Sequence, residues 1–412
     1  MKIIRNKIFL LFLILISGPF TINKLKAQTT HIEKPSPYMV NIKAIDYAFQ
    51  MPNEIKSGWV TFKFENMGHE MHFAMMLKFK DGVTEEDFLK FSADPKKETF
   101  EKYIKEPPVA VGGPGFHAPG QESEYTINLE PGNYGIICNT RTKEGVPHRS
   151  LGMYKYFKVT KEDSGAERPV ADLKLSLEPY VIKADGQLQK GRQTIEVTHA
   201  GGDSFDVHLA KLNDTSTIAN TIEFFDHLRE PSQTLFEGGA EQKEVDKKSY
   251  VTVDFEPGDY AFLSHEYSAL GMYKKFSVPQ NDQIALHDTP ENRREVEVKV
   301  MDNSIKVPNT LKAGPMKFIL NDATNEDHEI AIGRLENDKD FEDYKEYIKE
   351  MTRSRNDKNP ENPRTGYKIY FQETPEINLN LKPGTYVVFC DHVNPDDHYH
   401  ISDGELASFE VK

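Results

Sequence analysis

The chain has 412 residues, a formal net charge of -14 and only two cysteines. A protein this acidic is a poor match for nucleic acid or for an anionic membrane surface, so we expect neither as a partner. Two cysteines exclude a disulfide-rich scaffold. They leave either one bridge between distant segments or two free thiols with a function. The length predicts two to four domains with cores of normal size.

Residues 1–27 have the pattern of a secretory signal peptide. Three basic residues precede an apolar run at Ile8–Ile16, and Leu25-Lys26-Ala27 is a weak match to a small-residue cleavage site. The run is too short to span a bilayer. We therefore expect export to the periplasm or the extracellular space, with no transmembrane segment in the mature protein.

The remainder of the chain contains three internal repeats. Each copy has an alternating apolar segment that ends in Pro-Gly-x-Tyr, and these segments lie at 127–134, 253–260 and 379–386. Self-similarity at this spacing indicates tandem domains. The predicted domains are 30–160, 170–280 and 292–412, with polar linkers at 162–168 and 279–294.

Apolar and polar residues alternate within each repeat, as at Trp59–Phe64 and Val296–Val300. This period of two, with Pro-Gly turns, is typical of short antiparallel strands. The predicted fold is all-β, with three tandem Greek-key β-sandwiches. The repeated Tyr resembles a tyrosine corner, which is a structural feature. A short helical insertion is predicted once in each sandwich, at 84–105, 216–230 and 338–353.

The first repeat places a thiol and two imidazoles where they can meet. Cys138 follows an apolar strand, His148 comes ten residues later, and Met153 comes five residues after that. His72 follows an early strand of the same repeat. A thiolate and two imidazoles with a weak axial thioether suit copper that cycles between two oxidation states.

The third repeat has a variant of the same set. Cys390 is followed ten residues later by His400 and then by Glu405, and His328 stands as far from Asp302 as His72 stands from Asp46. His392 and His398 compete with His400 for its role. Because a carboxylate is a harder ligand than a thioether, this site should favour oxidised copper or zinc.

These stretches resemble the cupredoxin family, the blue-copper sandwiches. The family pattern of Asn-x-Gly-x3-His, followed by Cys, His and Met on the last loop, falls on Asn66, Gly68, His72, Cys138, His148 and Met153. The resemblance implies a cupredoxin-like fold for all three domains, and a full copper ligand set in the first domain only. The set with Glu405 is similar to the red-copper variants of the family.

The middle repeat lacks this chemistry. Ser264 takes the place of the Cys, Tyr267 falls where His148 would be, and Met272 persists in an otherwise unchanged Leu-Gly-Met stretch. That stretch therefore has a packing role, which makes Met153 weak support for an axial ligand. No metal site is predicted in this domain. His208 is a candidate for the old first-ligand place, although we favour a satisfied polar contact. In the first repeat, His117 is interpreted as a surface loop residue.

Three functions follow from these patterns. The first is single-electron transfer by a copper protein with a redox protein as its partner, and copper storage or delivery would use the same sites. The second is an enzyme, since multicopper oxidases and nitrite reductases string such domains together; their extra copper sites need a His beside the Cys, where this chain has Ile137 and Phe389. The third is a metal-free structural or partner-binding array. A disulfide between Cys138 and Cys390 stays open as an alternative to both sites.

Overall fold

The computed structural model describes residues 36–93, 100–104, 106–201, 205–241, 244–287, 293–324, 326–353, 362–371, 375–394 and 399–412. The predicted signal peptide lies outside these residues. Within them, no helix combines the length and the apolar character that crossing a membrane requires.

The first sandwich consists of two sheets packed face to face. Its strands are β1 (Met39–Ile45), β2 (Ala48–Gln50), β3 (Glu54–Asn66), β4 (Met75–Phe79), β5 (Val109–Gly112), β6 (Glu122–Leu129), β7 (Gly132–Ile137) and β8 (Tyr154–Asp163). One sheet pairs β1 in parallel with β3, and β3 antiparallel with β6. In the other sheet, β7 lies between β4 and β8. The alternation seen in the sequence buries Phe62 and Phe64 of β3 between the sheets.

The middle sandwich repeats this arrangement. Its strands are β9 (Leu173–Glu178), β10 (Val181–Leu188), β11 (Gly191–His199), β12 (Val207–Leu212), β13 (Leu235–Ala240), β14 (Lys248–Phe255), β15 (Gly258–Leu263), β16 (Tyr273–Val278) and β17 (Ile284–His287). Strand β17 pairs with β10 inside the stretch 279–294 that we predicted as a polar linker. Ile284 and Leu286 pack against the core and alternate with the exposed Ala285 and His287, so this part of the linker is a strand.

The third sandwich is built in the same way. Its strands are β18 (Arg294–Met301), β19 (Ser304–Lys306), β20 (Thr310–Leu311), β21 (Gly314–Asp322), β22 (Ile330–Leu335), β23 (Arg364–Tyr370), β24 (Glu376–Leu381), β25 (Gly384–Cys390) and β26 (Leu406–Val411). Strand β25 lies between β22 and β26, as β7 lies between β4 and β8.

Within the described residues, three α-helices occur at equivalent points, each after the strand that begins the second sheet of its sandwich (β4, β12 and β22). They are α1 (Glu85–Ala93), α2 (Ile218–His227) and α3 (Phe341–Arg353). A short π-helical turn at Phe100–Ile104 follows α1. Thr217 caps α2, since its side chain accepts a hydrogen bond from the backbone N–H of Asn220. The predicted all-β fold of tandem sandwiches, each with a helical insertion, is confirmed.

The repeated Pro-Gly-x-Tyr forms the same corner three times. The hydroxyls of Tyr134, Tyr260 and Tyr386 each donate a hydrogen bond to the backbone carbonyl four residues upstream, at 2.8, 2.9 and 2.9 Å. Each ring is buried with at most 1% of its surface exposed. The motif is therefore structural in all three sandwiches, as expected of a tyrosine corner.

The sandwiches are joined in two different ways. Strand β14 pairs antiparallel with β6, so the first and middle sandwiches share a continuous sheet. The third sandwich meets the middle one through side chains and loops. The carboxylate of Asp226 accepts hydrogen bonds from the hydroxyl of Thr365 and from the backbone N–H of Gly366.

Candidate metal centres

The first centre lies at the end of β7. Cys138 follows this strand directly, and a loop leads to a 3-10 turn at His148–Leu151. Cys138 Sγ lies 3.9 Å from His72 Nδ1 and 3.7 Å from His148 Nδ1, and the two nitrogens are 3.2 Å apart. All three side chains are fully buried. The structure thus brings together the thiol and both imidazoles that the sequence singled out.

Backbone hydrogen bonds fix this loop. The N–H of Cys138 donates to the carbonyl of Met153 at 3.1 Å, and the N–H of Met153 donates to the carbonyl of His148 at 3.0 Å. Gly152 ends the 3-10 turn with φ of 113°, a left-handed conformation that glycine adopts without strain. Met153 is itself fully buried. The loop is therefore closed on itself around the thiol.

The donor atoms are spaced as ligands of one ion would be. Metal bonds of about 2.0 Å to nitrogen and about 2.3 Å to sulfur place neighbouring ligand atoms roughly 3.3–3.8 Å apart. Burial lowers the pKa of His148 to about 3, with His72 nearby adding to the effect, and burial also lowers the pKa of His72. Both imidazoles are therefore neutral at pH 7, as metal ligands must be. Burial raises the pKa of the Cys138 thiol to about 11, so a bound metal would have to displace its proton.

The ring orientation of His72 is set by a residue that the sequence did not suggest. Asp46 Oδ1 lies 2.9 Å from His72 Nε2. Although burial acts in the opposite direction, hydrogen bonds from His69 and His72 hold the pKa of Asp46 at about 2. The ionised carboxylate therefore accepts a hydrogen bond from Nε2–H, which leaves the Nδ1 lone pair facing Cys138. Gly68 makes room for this contact, since a Cβ there would lie 2.7 Å from His72 Nε2.

The other imidazole is covered by a tyrosine and a glutamate. Glu70 Oε2 lies 2.9 Å from His148 Nε2, although their alignment does not form a hydrogen bond, and it accepts one from the hydroxyl of Tyr47 at 3.0 Å. The Tyr47 ring meets the His148 ring edge-on, with centroids 5.1 Å apart. These contacts explain why His148 is inaccessible to solvent.

The third centre has the same three-donor arrangement. Cys390 Sγ lies 3.6 Å from His328 Nδ1 and 3.7 Å from His400 Nδ1, and the nitrogens are 3.4 Å apart. Glu405 Oε2 is 3.0 Å from His328 Nδ1 and 3.5 Å from His400 Nδ1. Burial raises the pKa of the Cys390 thiol to about 12. The described residues thus hold a four-donor group here, with a carboxylate in the position of Met153.

The outer nitrogens of the third centre have different partners. His328 Nε2 lies 2.8 Å from Thr324 Oγ1, and His400 Nε2 lies 3.0 Å from Asn394 Oδ1. The His392 ring packs against that of His400, with centroids 4.9 Å apart. His398 lies outside the described residues. Of the candidates that the structure describes, His400 is the one whose Nδ1 faces Cys390.

Aromatic rings fill the equivalent place in the middle sandwich. In each sandwich, the residue just before the thiol position pairs with a residue of a neighbouring strand. These pairs are Ile137 with Met75, Leu263 with His208 and Phe389 with Ala331. Three residues earlier stand His72, Phe205 and His328. The interpretation of His208 as the old first-ligand position is therefore wrong, because Phe205 occupies that place. The Phe205 and Tyr267 rings are 5.5 Å apart, much as the imidazoles are elsewhere.

His208 instead belongs to a buried polar group at the edge of the middle sandwich. Its Nε2 lies 3.3 Å from Asp206 Oδ2 and 3.6 Å from Glu241 Oε1. The backbone N–H of Phe116 donates to His208 Nδ1 at 3.4 Å. Neither of these two carboxylate contacts forms a hydrogen bond with Nε2. Asp206, His208 and Glu241 are thus a buried group of three donors that could hold a metal, and the polar contact that we favoured for His208 stays a prediction.

Two further expectations are corrected by the structure. His117 is not a surface residue: it is fully buried, with Nδ1 2.8 Å from the carbonyl oxygen of Gly115 and Nε2 2.7 Å from Ser123 Oγ. The Gly-Pro-rich stretch around it has the composition of an exposed loop, but the middle sandwich covers it. Cys138 and Cys390 are both free, so the disulfide is excluded.

Comparisons with known proteins give likenesses in structure only. No profile of a known family matches the sequence, and no curated protein sequence matches it. Among solved structures, a copper-containing nitrite reductase from Thermus scotoductus is 12% identical, with 91% of this chain and 98% of that chain covered and a TM-score of 0.17. Auracyanin from Roseiflexus castenholzii is 18% identical over 30% of this chain and 98% of its own, with a TM-score of 0.20. A laccase from Pediococcus acidilactici is 10% identical over 91% and 89%, with a TM-score of 0.17.

These neighbours are proteins of the cupredoxin fold. The present chain has tandem two-sheet sandwiches, with a loop that follows a central strand and carries the thiol and an imidazole. This arrangement of its own strands and loop resembles the cupredoxin fold. At these identities and TM-scores the likenesses carry no argument, and both the fold and the chemistry of the sandwiches have to be argued from their own residues.

Proposed function

We propose that this is an exported copper protein that passes single electrons through the centre of its first sandwich. The observation that carries the proposal is the geometry of Cys138, His72 and His148. Their donor atoms converge at 3.2–3.9 Å, and Asp46 holds His72 in the tautomer that a ligand needs. The donor set of one thiolate and two imidazoles is the one that suits copper in electron transfer.

Each residue of the first centre has a distinct role in this proposal. Cys138, His72 and His148 would hold the ion, and Met153 is the candidate for a weak fourth ligand. Bound copper would supply the one-electron couple. Asp46 orients His72, while Tyr47 and Glu70 exclude water from His148. A buried site on a rigid sandwich changes little in structure between oxidation states, which favours fast electron exchange.

We assign a second metal site to the third sandwich, with Cys390, His328, His400 and Glu405 as ligands. The carboxylate adds a negative charge and a hard donor within 3.5 Å of both imidazoles. This set favours oxidised copper, or zinc, over reduced copper. The two sites would therefore differ in reduction potential, with the first site more easily reduced.

The proposal is tested by loading the purified protein with copper. We expect an intense visible band from thiolate-to-copper charge transfer, which Cys138→Ser should abolish at the first site. Cys390→Ser is the matched control, because it removes the equivalent thiol 252 positions later in the chain and should leave the first band intact. A protein that stays colourless and binds no copper would overturn the proposed function.

Copper storage or delivery is the second candidate and uses the same residues. The full burial of His148 beneath Tyr47 argues against it, because a delivered ion needs an exit path. Rapid loss of copper to a soluble chelator would favour delivery. Slow loss, together with reversible reduction and reoxidation by a small redox protein, would favour electron transfer.

A further inference from the structure

The middle sandwich touches the segment that carries His72. Glu230, three residues past the end of α2, accepts a hydrogen bond at Oε1 from the backbone N–H of Met71 at 2.7 Å. Met71 directly precedes His72 and is 1% exposed. The other carboxylate oxygen accepts the N–H of Ser232 at 2.7 Å, which fixes the side chain of Glu230. A charged acceptor from another sandwich thus holds the backbone beside the first ligand.

The same short segment also holds the loop that carries the other two ligands. Arg141 lies between Cys138 and His148, and its backbone N–H donates to the carbonyl of Leu228 at 2.6 Å. Its carbonyl accepts the N–H of Glu230 at 3.0 Å. Both ligand-bearing segments of the first centre are therefore bonded to residues 228–230 of the middle sandwich.

The backbone segment 115–117 of the first sandwich forms a second contact with the middle sandwich. His72 and His117 exchange backbone hydrogen bonds of 3.2 and 2.8 Å. On its other side, this segment bonds to the middle sandwich: the N–H of Gly115 donates to the carbonyl of Gly239, and the N–H of Gly238 donates to the carbonyl of Phe116. Backbone hydrogen bonds thus link His72 to the segment 115–117, and that segment to β13 of the middle sandwich.

The third centre is held from within its own sandwich. Asp391, next to Cys390, accepts a hydrogen bond from the hydroxyl of Tyr370 at 2.5 Å and pairs with Lys368. Both partners lie on β23 of the same sandwich. Among the residues that the structure describes, support from a neighbouring sandwich therefore distinguishes the first centre.

We infer that Glu230 is a positioning residue for the first metal site, and that the middle sandwich is the clamp that fixes the spacing between His72 and the Cys138–His148 loop. This rests on the proposed function only for the identity of the ion. The clamp itself is a property of the metal-free chain. It gives the middle sandwich, which has no cysteine, a role in the chemistry of its neighbour.

The test uses the two thiols of the metal-free, full-length protein as reporters. Cys138 and Cys390 are both buried, so alkylation by iodoacetamide requires local opening, and mass spectrometry measures the two rates separately. Glu230→Ala should speed the labelling of Cys138 by roughly tenfold or more, as loss of a charge-assisted hydrogen bond predicts, with Cys390 unchanged. Glu230→Gln keeps an acceptor oxygen and should restore most of the protection.

The control is Glu256→Ala, which removes an exposed glutamate from the same sandwich and should change neither rate. Unchanged Cys138 labelling in Glu230→Ala would overturn the inference. So would equal acceleration of both thiols, which would indicate a general loss of stability. If Glu230→Ala does not fold, amide hydrogen exchange of the wild-type protein is measured instead. The Met71 and Arg141 amides should then be as protected as the His72 amide. Exchange of these two amides at the rate of an open loop would overturn the clamp.

With copper bound, Glu230→Ala should shift or weaken the charge-transfer band of the first site, and Glu230→Gln should retain it. A wild-type protein that binds no copper would overturn the proposed function and leave the thiol result standing. A wild-type band that Glu230→Ala leaves unaltered would count against the clamp alone.

Discussion

The first and the third centre have similarly spaced donor atoms but different surroundings. In the first, Asp46 reaches His72 Nε2 past Gly68; in the third, Thr324 stands at the position of Gly68 and its hydroxyl meets His328 Nε2 directly. Asp302, the counterpart of Asp46, is exposed. The same fold thus sets the tautomer of the first His ligand with a carboxylate in one sandwich and with a hydroxyl in the other. The hydrogen-bond partner of a ligand therefore cannot be transferred between repeats by alignment alone.

Removing the two equivalent aspartates should give the largest difference between the centres. Asp46→Ala deletes the acceptor that orients His72 and should weaken metal binding at the first site by about 10–100-fold. Asp302→Ala is the matched control, and we expect no change at the third site. Competition with a chelator of known affinity, on variants that keep one thiol each, measures the two effects. Equal losses at both sites, or none at either, would contradict the distinction between them.

The two centres also differ in their fourth residue, which is Met153 in the first and Glu405 in the third. Glu405 is 2% exposed, and its carboxylate contacts the Cys390 thiol and both imidazoles of the third centre. Glu405→Met removes this hard donor and leaves a thioether of similar length, as in the first centre. It should therefore move the preference of the third site towards reduced copper. Redox titration measures the change, and an unaltered reduction potential would show that the carboxylate is not a ligand.

The smallest effects should be the same in all three sandwiches. Replacing Tyr134, Tyr260 or Tyr386 with Phe removes one hydroxyl hydrogen bond and should cost about 1 kcal/mol each, without change in metal content. Denaturant unfolding and metal analysis check both expectations. Loss of metal in Tyr134→Phe alone would mean that the corner of the first sandwich acts on its centre.

The repeated spacing was sufficient to predict much of the arrangement. Cys138 and His148, like Cys390 and His400, stand ten residues apart because a 3-10 turn that begins at the His follows a central strand at the same distance in both sandwiches. The distance of His328 from the start of its repeat predicted its place beside Cys390. The contacts between each Cys and its two His residues depend on residue spacing within one repeat, and this spacing can be read directly from the sequence.

The parts that escaped prediction depend on contacts between elements far apart in the chain. Glu230 meets Met71 across 159 residues, and His117 is buried by a neighbouring sandwich. His208 was a wrong candidate for the first-ligand position because the middle repeat matches the others too weakly to fix strand register by sequence. Phe205, the residue at that position, bears no chemical resemblance to the imidazole that it replaces.

The pairing of β14 with β6 has a consequence for how the molecule unfolds. Melting either sandwich would strip its neighbour's strand of hydrogen-bond partners and expose a bare sheet edge. The first two sandwiches should therefore lose their structure as one cooperative unit, whereas the third, attached through loops and side chains, can open independently. Calorimetry would then resolve two transitions, the larger of which carries about two thirds of the unfolding enthalpy, in proportion to chain length.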